Sequence, residues 1–275
     1  MKKSICLGLL IGLLLAPTIS LFSKNPIIEI ASNPKEQSEN ELFFYRVVKN
    51  QMLNVVYEDI FGESLGTTVK WFQIFADDDL LNFTSNDYLI LENNQSGGFE
   101  IFDEDFSFLS LAPDVQQNYS LMNSYGNWVK SRSRGFNKIY YSTDKGKKYT
   151  VTYKFSLGGK HIIQDEKGYQ ITLNTKINGN VDISDNEGRK MFMKYDRSGV
   201  YRLLDGSTTK MSLMVQSLQH YSLSDERGLV MSLVKRGRYN DIFIKTADGH
   251  EMLIENRFIK PVTTPDTTEK KEDKK

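Results

Sequence analysis

The chain of 275 residues holds one cysteine, three histidines and six prolines. Cys6 sits inside an apolar run near the start, so the remainder has no thiol. Disulfides, thiolate metal sites and cysteine nucleophiles are thereby excluded. No apolar stretch reaches the roughly 20 residues a helix needs to cross a bilayer. Net charge is missing too, with 35 Lys and Arg against 35 Asp and Glu. Hydrophobic residues make up 39% and aromatics 12%, which excludes a disordered polymer and a collagen-like fibre. The length suits one large domain or two small ones.

Catalytic and metal signatures are equally scarce. His161, His220 and His250 show no paired metal-ligand spacing and begin or border strand-like stretches. Asp77-Asp78-Asp79 and Asp103-Glu104-Asp105 lack the alternation of a calcium loop and read as solvated turns or helix starts. No phosphate-cradling G-x-x-x-x-G-K loop occurs. The string from Gly62 to Gly66 matches G-x-S-x-G around Ser64. A nucleophile elbow, however, needs a strand before it and a helix after it. Here a helix precedes and β-branched residues follow, so the two glycines read as punctuation. These absences predict no cofactor, no metal and no catalytic set.

What is present begins with an address. Residues 1–23 read as an export leader: Lys2 and Lys3, an apolar run from Ile5 to Ala16, then small residues at Ser20 and Ser23. The expected product is a bacterial periplasmic, secreted or cell-surface protein without a transmembrane span after cleavage. Residues 261–275 read as a solvated tail of Pro, Thr and alternating charge.

Global neutrality hides a division. Residues 24–126 carry 17 acidic and 5 basic side chains, whereas residues 127–260 carry 14 acidic and 24 basic, a split of −12 against +10. Two readings stay open: the halves neutralise each other within one molecule, or opposite faces meet between molecules. The expected organisation is an acidic α/β region over 24–135 and a basic β-rich region over 136–260.

Ser38 and Glu41 form a capping box that starts a broad apolar helix over 39–61, stopped at Gly62. Thr68–Phe75 and Tyr88–Leu91 read as strands. Pro113, followed by Val115, Tyr119, Met122 and Val129 at helical spacing that Gly126 interrupts, predicts a second helix over 113–126. From about residue 137 the period becomes two, with turn signals of the Asp-x-x-Gly, Asn-Gly and Asp-Gly kinds between the strands. Turn spacing predicts roughly nine to eleven antiparallel strands, with intervals too uneven for a strict repeat. The fold expected is α+β: helices at 39–61 and 113–126 packed on a long antiparallel meander, open, curved or folded into a sandwich in preference to a closed barrel.

Function is then expected to reside in surfaces. The residues singled out for contact are Lys130, Arg132, Arg134, Lys154 and Lys176 on the basic side, with Asp77, Asp78 and Asp79 on the acidic side. The expected partner is a second copy or another envelope or appendage protein, and nucleic acid is not expected for an exported chain of this balance. Two alternatives stand beside this. One is a carrier holding an apolar ligand among Tyr153, Phe155, Tyr169 and Leu173, and the other a hydrolase centred on Ser64.

Overall fold

The computed structural model describes residues 38–77, 80, 87–116, 118–156, 158–217 and 219–259. The leader, the tail, Asp78 and Asp79 lie outside the described residues.

Helix α1 (Glu39–Phe61) begins at the expected cap, where the Glu41 N–H donates to the Ser38 hydroxyl at 3.1 Å, and ends at Gly62 with φ 85°. Its buried side chains, among them Phe44, Val47, Met52, Leu53 and Tyr57, point in every direction around the axis. A helix apolar on all sides must be enclosed, and this one is. Helix α2 (Glu63–Phe75) replaces the strand expected over Thr68–Phe75. Its residues from Val69 to Phe75 are all buried, so neither a period of 2 nor one of 3.6 marks them, and tertiary packing overrides their β-leaning chemistry. The two helices form a tight antiparallel hairpin. A Cβ added at Gly66 would stand 2.6 Å from the backbone of Glu58, so only glycine admits this approach.

Seventeen strands follow, from β1 (Tyr88–Asn93) to β17 (Glu251–Arg257), each paired with its neighbours in sequence. The last closes on the first: Tyr88 lies opposite Leu253 and Glu92 opposite Arg257 in a parallel pairing. Every other pairing is antiparallel. An up-and-down meander of odd strand number brings its first and last strands together pointing the same way, so this one parallel seam follows from the count. The sheet is therefore a closed barrel, and the expectation of an open sheet or sandwich is corrected. Closure removes the exposed edges that a long meander otherwise presents.

The helix expected over 113–126 is also corrected. This stretch holds the end of β3 (Phe108–Pro113) and all of β4 (Tyr119–Asn123). Val115 and Met122, which suggested helical spacing, point to solvent. Leu121 and Asn123 face inward at period two, and of the residues at helical spacing Val129 is the one that is fully buried. Pro113 ends its strand, where its missing donor breaks no further rung.

An approximate repeat runs through the wall. Ile101, Leu121, Tyr141, Ile163, Ile183, Leu203, Leu223 and Ile244 occupy one buried layer at steps of 20 to 22 residues, one per hairpin. The turns themselves match their sequence signals. Asp165 Oδ1 accepts from the amides of Lys167 (2.9 Å) and Tyr169 (2.8 Å), and Gly168 takes φ 89°. The same pattern recurs at Asp185 and Asp114.

The helical hairpin fills the barrel. Phe61 stacks on Phe99 at 4.6 Å, Phe72 meets Tyr141 at 5.6 Å edge-on, and Phe43 stacks on Tyr149 at 5.1 Å. Trp71 lies 5.3 Å from His161, and Asp59 pairs with the buried Lys235. These partners come from strands around the whole wall. The direction of the plug follows from its ties. The start of α1 reaches the turns around Lys147, Lys167 and Glu187, while its end reaches Phe99 and Phe258. We call the first the proximal rim and the second, where the helices turn around at Gly62, the distal rim.

Candidate interaction surface at the distal rim

The proximal rim is knitted together. Lys147 binds Glu39, Lys145 binds Asp77 at 2.8 Å, and Asn40 donates to Glu187. Arg189 binds Asp185 at 2.6 Å and Glu187 at 2.7 Å, and approaches Ser38 at 3.4 Å. Asp185 is held below the usual carboxylate range: burial opposes this, but hydrogen bonds from Arg189 and Tyr169 outweigh it. Glu39 is likewise lowered, chiefly by the hydrogen bond from Lys147. Arg46 donates to the carbonyl of Ala76 at 2.7 Å, closing the end of α2. Several of these ties join a cation of the 127–260 half to a carboxylate of the 24–126 half. Part of the charge split is thus neutralised inside the molecule.

The distal rim is built from the other set of turns. Five of them, and the segment after β17, each end in an apolar side chain facing solvent: Val115 (100% exposed), Phe136 (105%), Phe155 (86%), Ile177 (79%), Tyr239 (66%) and Ile259 (77%). Ile259 is fixed there by Asn93, which accepts its N–H at 2.6 Å and donates back to its carbonyl. These tips are single residues on separate turns, and the exposed Glu63 and Ser64 of the helical turn stand within the ring they form.

Cations flank the tips. Arg134 and Lys138 bracket Phe136, Lys154 and Lys160 bracket Phe155, and Arg236 and Arg238 precede Tyr239. Those six form no ion pair among the described residues. Lys176, beside Ile177, reaches Asp182 at 3.1 Å and lies over the Phe192 ring at 5.0 Å.

The sequence-selected residues therefore sort by position. Arg134, Lys154 and Lys176 converge on the distal rim. Lys130 and Arg132 lie on the outer face of β5 (Trp128–Ser133) leading towards it, Lys130 over the Trp128 ring at 4.5 Å. Both line a groove of about 660 Å³ on the barrel wall, with Tyr140, Ser142 and Thr150. Asp77 lies at the opposite end, paired with Lys145. Sequence reasoning did not see these side chains as rim tips: Val115, Phe136, Ile177 and Tyr239 sit beside a Gly, Asn or Asp turn signal, where a large apolar residue is out of place, while Phe155 reads in sequence as a possible lining residue of a carrier.

The residues of the two alternative readings are accounted for differently. Tyr153 packs on His161 at 5.1 Å, Tyr169 faces Phe43, Leu173 is core, and Phe155 is a rim tip. Ser64 lies exposed in the first turn of α2, where its carbonyl accepts from the Thr68 hydroxyl at 3.1 Å. Its hydroxyl contacts no histidine among the described residues. Nor does any group of three His, Cys, Asp or Glu among them converge as for a metal ion.

One cluster is titratable and deep. Lys70, fully enclosed beside Gln51 and over the Trp71 ring, has its pKa pushed down to about 8 by burial, with Glu58 opposing. His161 is pushed down to about 4, first by burial and then by the charge of Lys70. Lys70 is sealed between plug and wall, and His161 is half-buried beside it.

Comparison with known proteins adds little. No protein-family model matches the chain, and no curated protein matches it. Among solved structures, the wild-type TCP10 domain of Danio rerio CPAP is similar at 7% identity and a TM-score of 0.18, over 59% of this chain and 96% of that one. A mutant of that domain is similar at 10% identity and a TM-score of 0.17, with the same coverage. Scores at this level carry no statement about fold or function.

Proposed function

We propose that this chain is a non-enzymatic exported protein that works by surface contact, as a structural or assembly component of the cell envelope or an appendage. Its protein partner is a second copy or another envelope component. The observation that supports this reading is the plug. The inward side of the barrel is occupied by the chain's own helices, so the space where a barrel of this kind would hold a ligand is spent on core packing. What remains for function is the outside, and its two ends differ in chemistry.

The test is photo-crosslinking in the producing bacterium, with the crosslinker placed in turn at Tyr140 on the wall, Phe136 on the distal rim and Glu166 on the proximal rim. The expected result is a defined protein adduct from at least one site, in an envelope or culture-supernatant fraction. Retention of the full-length chain in the cytosol, or adducts from none of the three sites, would sink the proposal.

A further inference from the structure

We propose that the distal rim docks on an anionic lipid bilayer. The apolar tips enter the headgroup boundary and the unpaired cations bind lipid phosphates. This goes beyond the protein-contact reading, and its failure would leave that reading standing.

Three observations carry it. The first is the layout of the apolar groups. A protein interface places contiguous apolar area at its centre and polar groups around it. Here the order is inverted, with separate apolar tips around a polar middle formed by Glu63 and Ser64. A fluid headgroup layer accepts separate tips, since lipids reorganise around each, whereas a folded partner would need a matching pocket for every one. The second observation is charge. Arg134, Lys138, Lys154, Lys160, Arg236 and Arg238 have no carboxylate partner among the described residues, and all but Lys160 stand within three residues of Phe136, Phe155 or Tyr239, Lys160 facing Lys154 across the hairpin that carries Phe155. Basic groups beside Phe, Tyr and Ile are the composition of surfaces that lie on anionic membranes. The third is polarity between the ends. The proximal turns hold Glu104 and Asp105, which form no ion pair among the described residues, beside Glu166, Glu187 and Glu226, each already paired with a cation, so an anionic surface is drawn less to this end than to the other. The wall rules out deeper entry. Outward residues such as Ser110, Lys130, Thr150, Thr172 and Arg202 are polar, the reverse of a membrane-spanning barrel. Among the described residues no helix is long and apolar enough to cross a membrane.

The experiment is flotation of the purified exported protein with vesicles of phosphatidylcholine containing phosphatidylglycerol, and with phosphatidylcholine alone. Binding is expected on the anionic vesicles, weakening about tenfold or more when salt rises from about 0.1 M to about 0.5 M. The triple variant Phe136→Ser, Phe155→Ser, Ile177→Ser, and separately Arg134→Gln, Lys154→Gln, Arg238→Gln, should each lower partitioning by about tenfold or more. Phe106→Ser with Tyr125→Ser, on the proximal rim, should leave it unchanged and controls for general stickiness. All six distal positions are exposed, and an unchanged melting curve confirms that each variant folds. Absence of binding to anionic vesicles, or equal loss with the proximal variant, would overturn the proposal. So would light scattering that shows the distal tips holding an oligomer together in place of vesicle binding, which would identify the rim as a contact between copies.

Discussion

The two rims of the barrel carry similar numbers of charged side chains to opposite effect. At the proximal rim the charges are used on each other: Glu39, Asp77, Asp185 and Glu187 each meet a Lys or Arg, tying the start of the plug to the wall. At the distal rim Arg134, Lys138, Lys154 and Lys160 meet no carboxylate among the described residues and surround apolar groups that water must cover. The first arrangement stabilises a fold. The second contributes nothing to the folded state and leaves apolar side chains in water beside cations without an ion pair. On the proposed reading, contact belongs to the distal end and charge pairing to the proximal end, where Phe106 and Tyr125 are also exposed.

The largest effect that would sharpen this contrast lies in the plug. Phe72→Ala removes a fully buried ring that packs edge-on against Tyr141, and should cost about 3 to 5 kcal/mol in denaturant unfolding. A cost below about 1 kcal/mol would mean that the barrel stands without its filling.

Next comes Lys70. Burial lowers its pKa to about 8, while in the unfolded chain it titrates near 10.4. Between those values the unfolded state holds the extra proton, so stability rises as pH increases through that window and is lower by a constant amount below about 8. Lys70→Met should therefore raise stability at pH 7 by roughly 3 kcal/mol and flatten the profile between pH 8 and 9.5. The upper limit avoids the opposing ionisation of tyrosines released on unfolding. An unchanged slope in that window would show Lys70 to be solvated.

The smallest effects compare the rims directly. Glu39→Gln should cost between zero and about 1 kcal/mol, a difference abolished by high salt, whereas Lys138→Gln with Lys154→Gln should change stability by less than about 0.5 kcal/mol at any salt. A larger loss at the distal rim would break the assignment.

Much of this architecture could be read from the residues, and the failures have physical causes. The α1 cap at Ser38 and the Asp-x-x-Gly turns are local chemistry, and local chemistry is decided within a few residues. Helix α2 was illegible because a segment buried on every side loses the periodicity that distinguishes helix from strand. Closure was illegible for another reason. It depends on a pairing between Tyr88 and Leu253, which lie in the first and last strands, and no short window of sequence contains both. At the distal rim, the cations Arg134, Lys154 and Lys176 were legible as charges. Their convergence came only from folding every other turn to the same end, and the tips between them carry other signals in sequence, Val115 a helical spacing and Phe155 a place in an apolar lining.

The parallel seam between Tyr88–Asn93 and Glu251–Arg257 constrains how such a molecule can change size. Adding or deleting a whole 20-residue hairpin preserves the parity of the meander, and hence the seam, but alters the bore. The bore is fixed by the girth of two helices held apart by no more than Gly66. The number of hairpins is therefore gauged from within: a shorter ring could not pass around the pair, and a longer one would leave a void beside it.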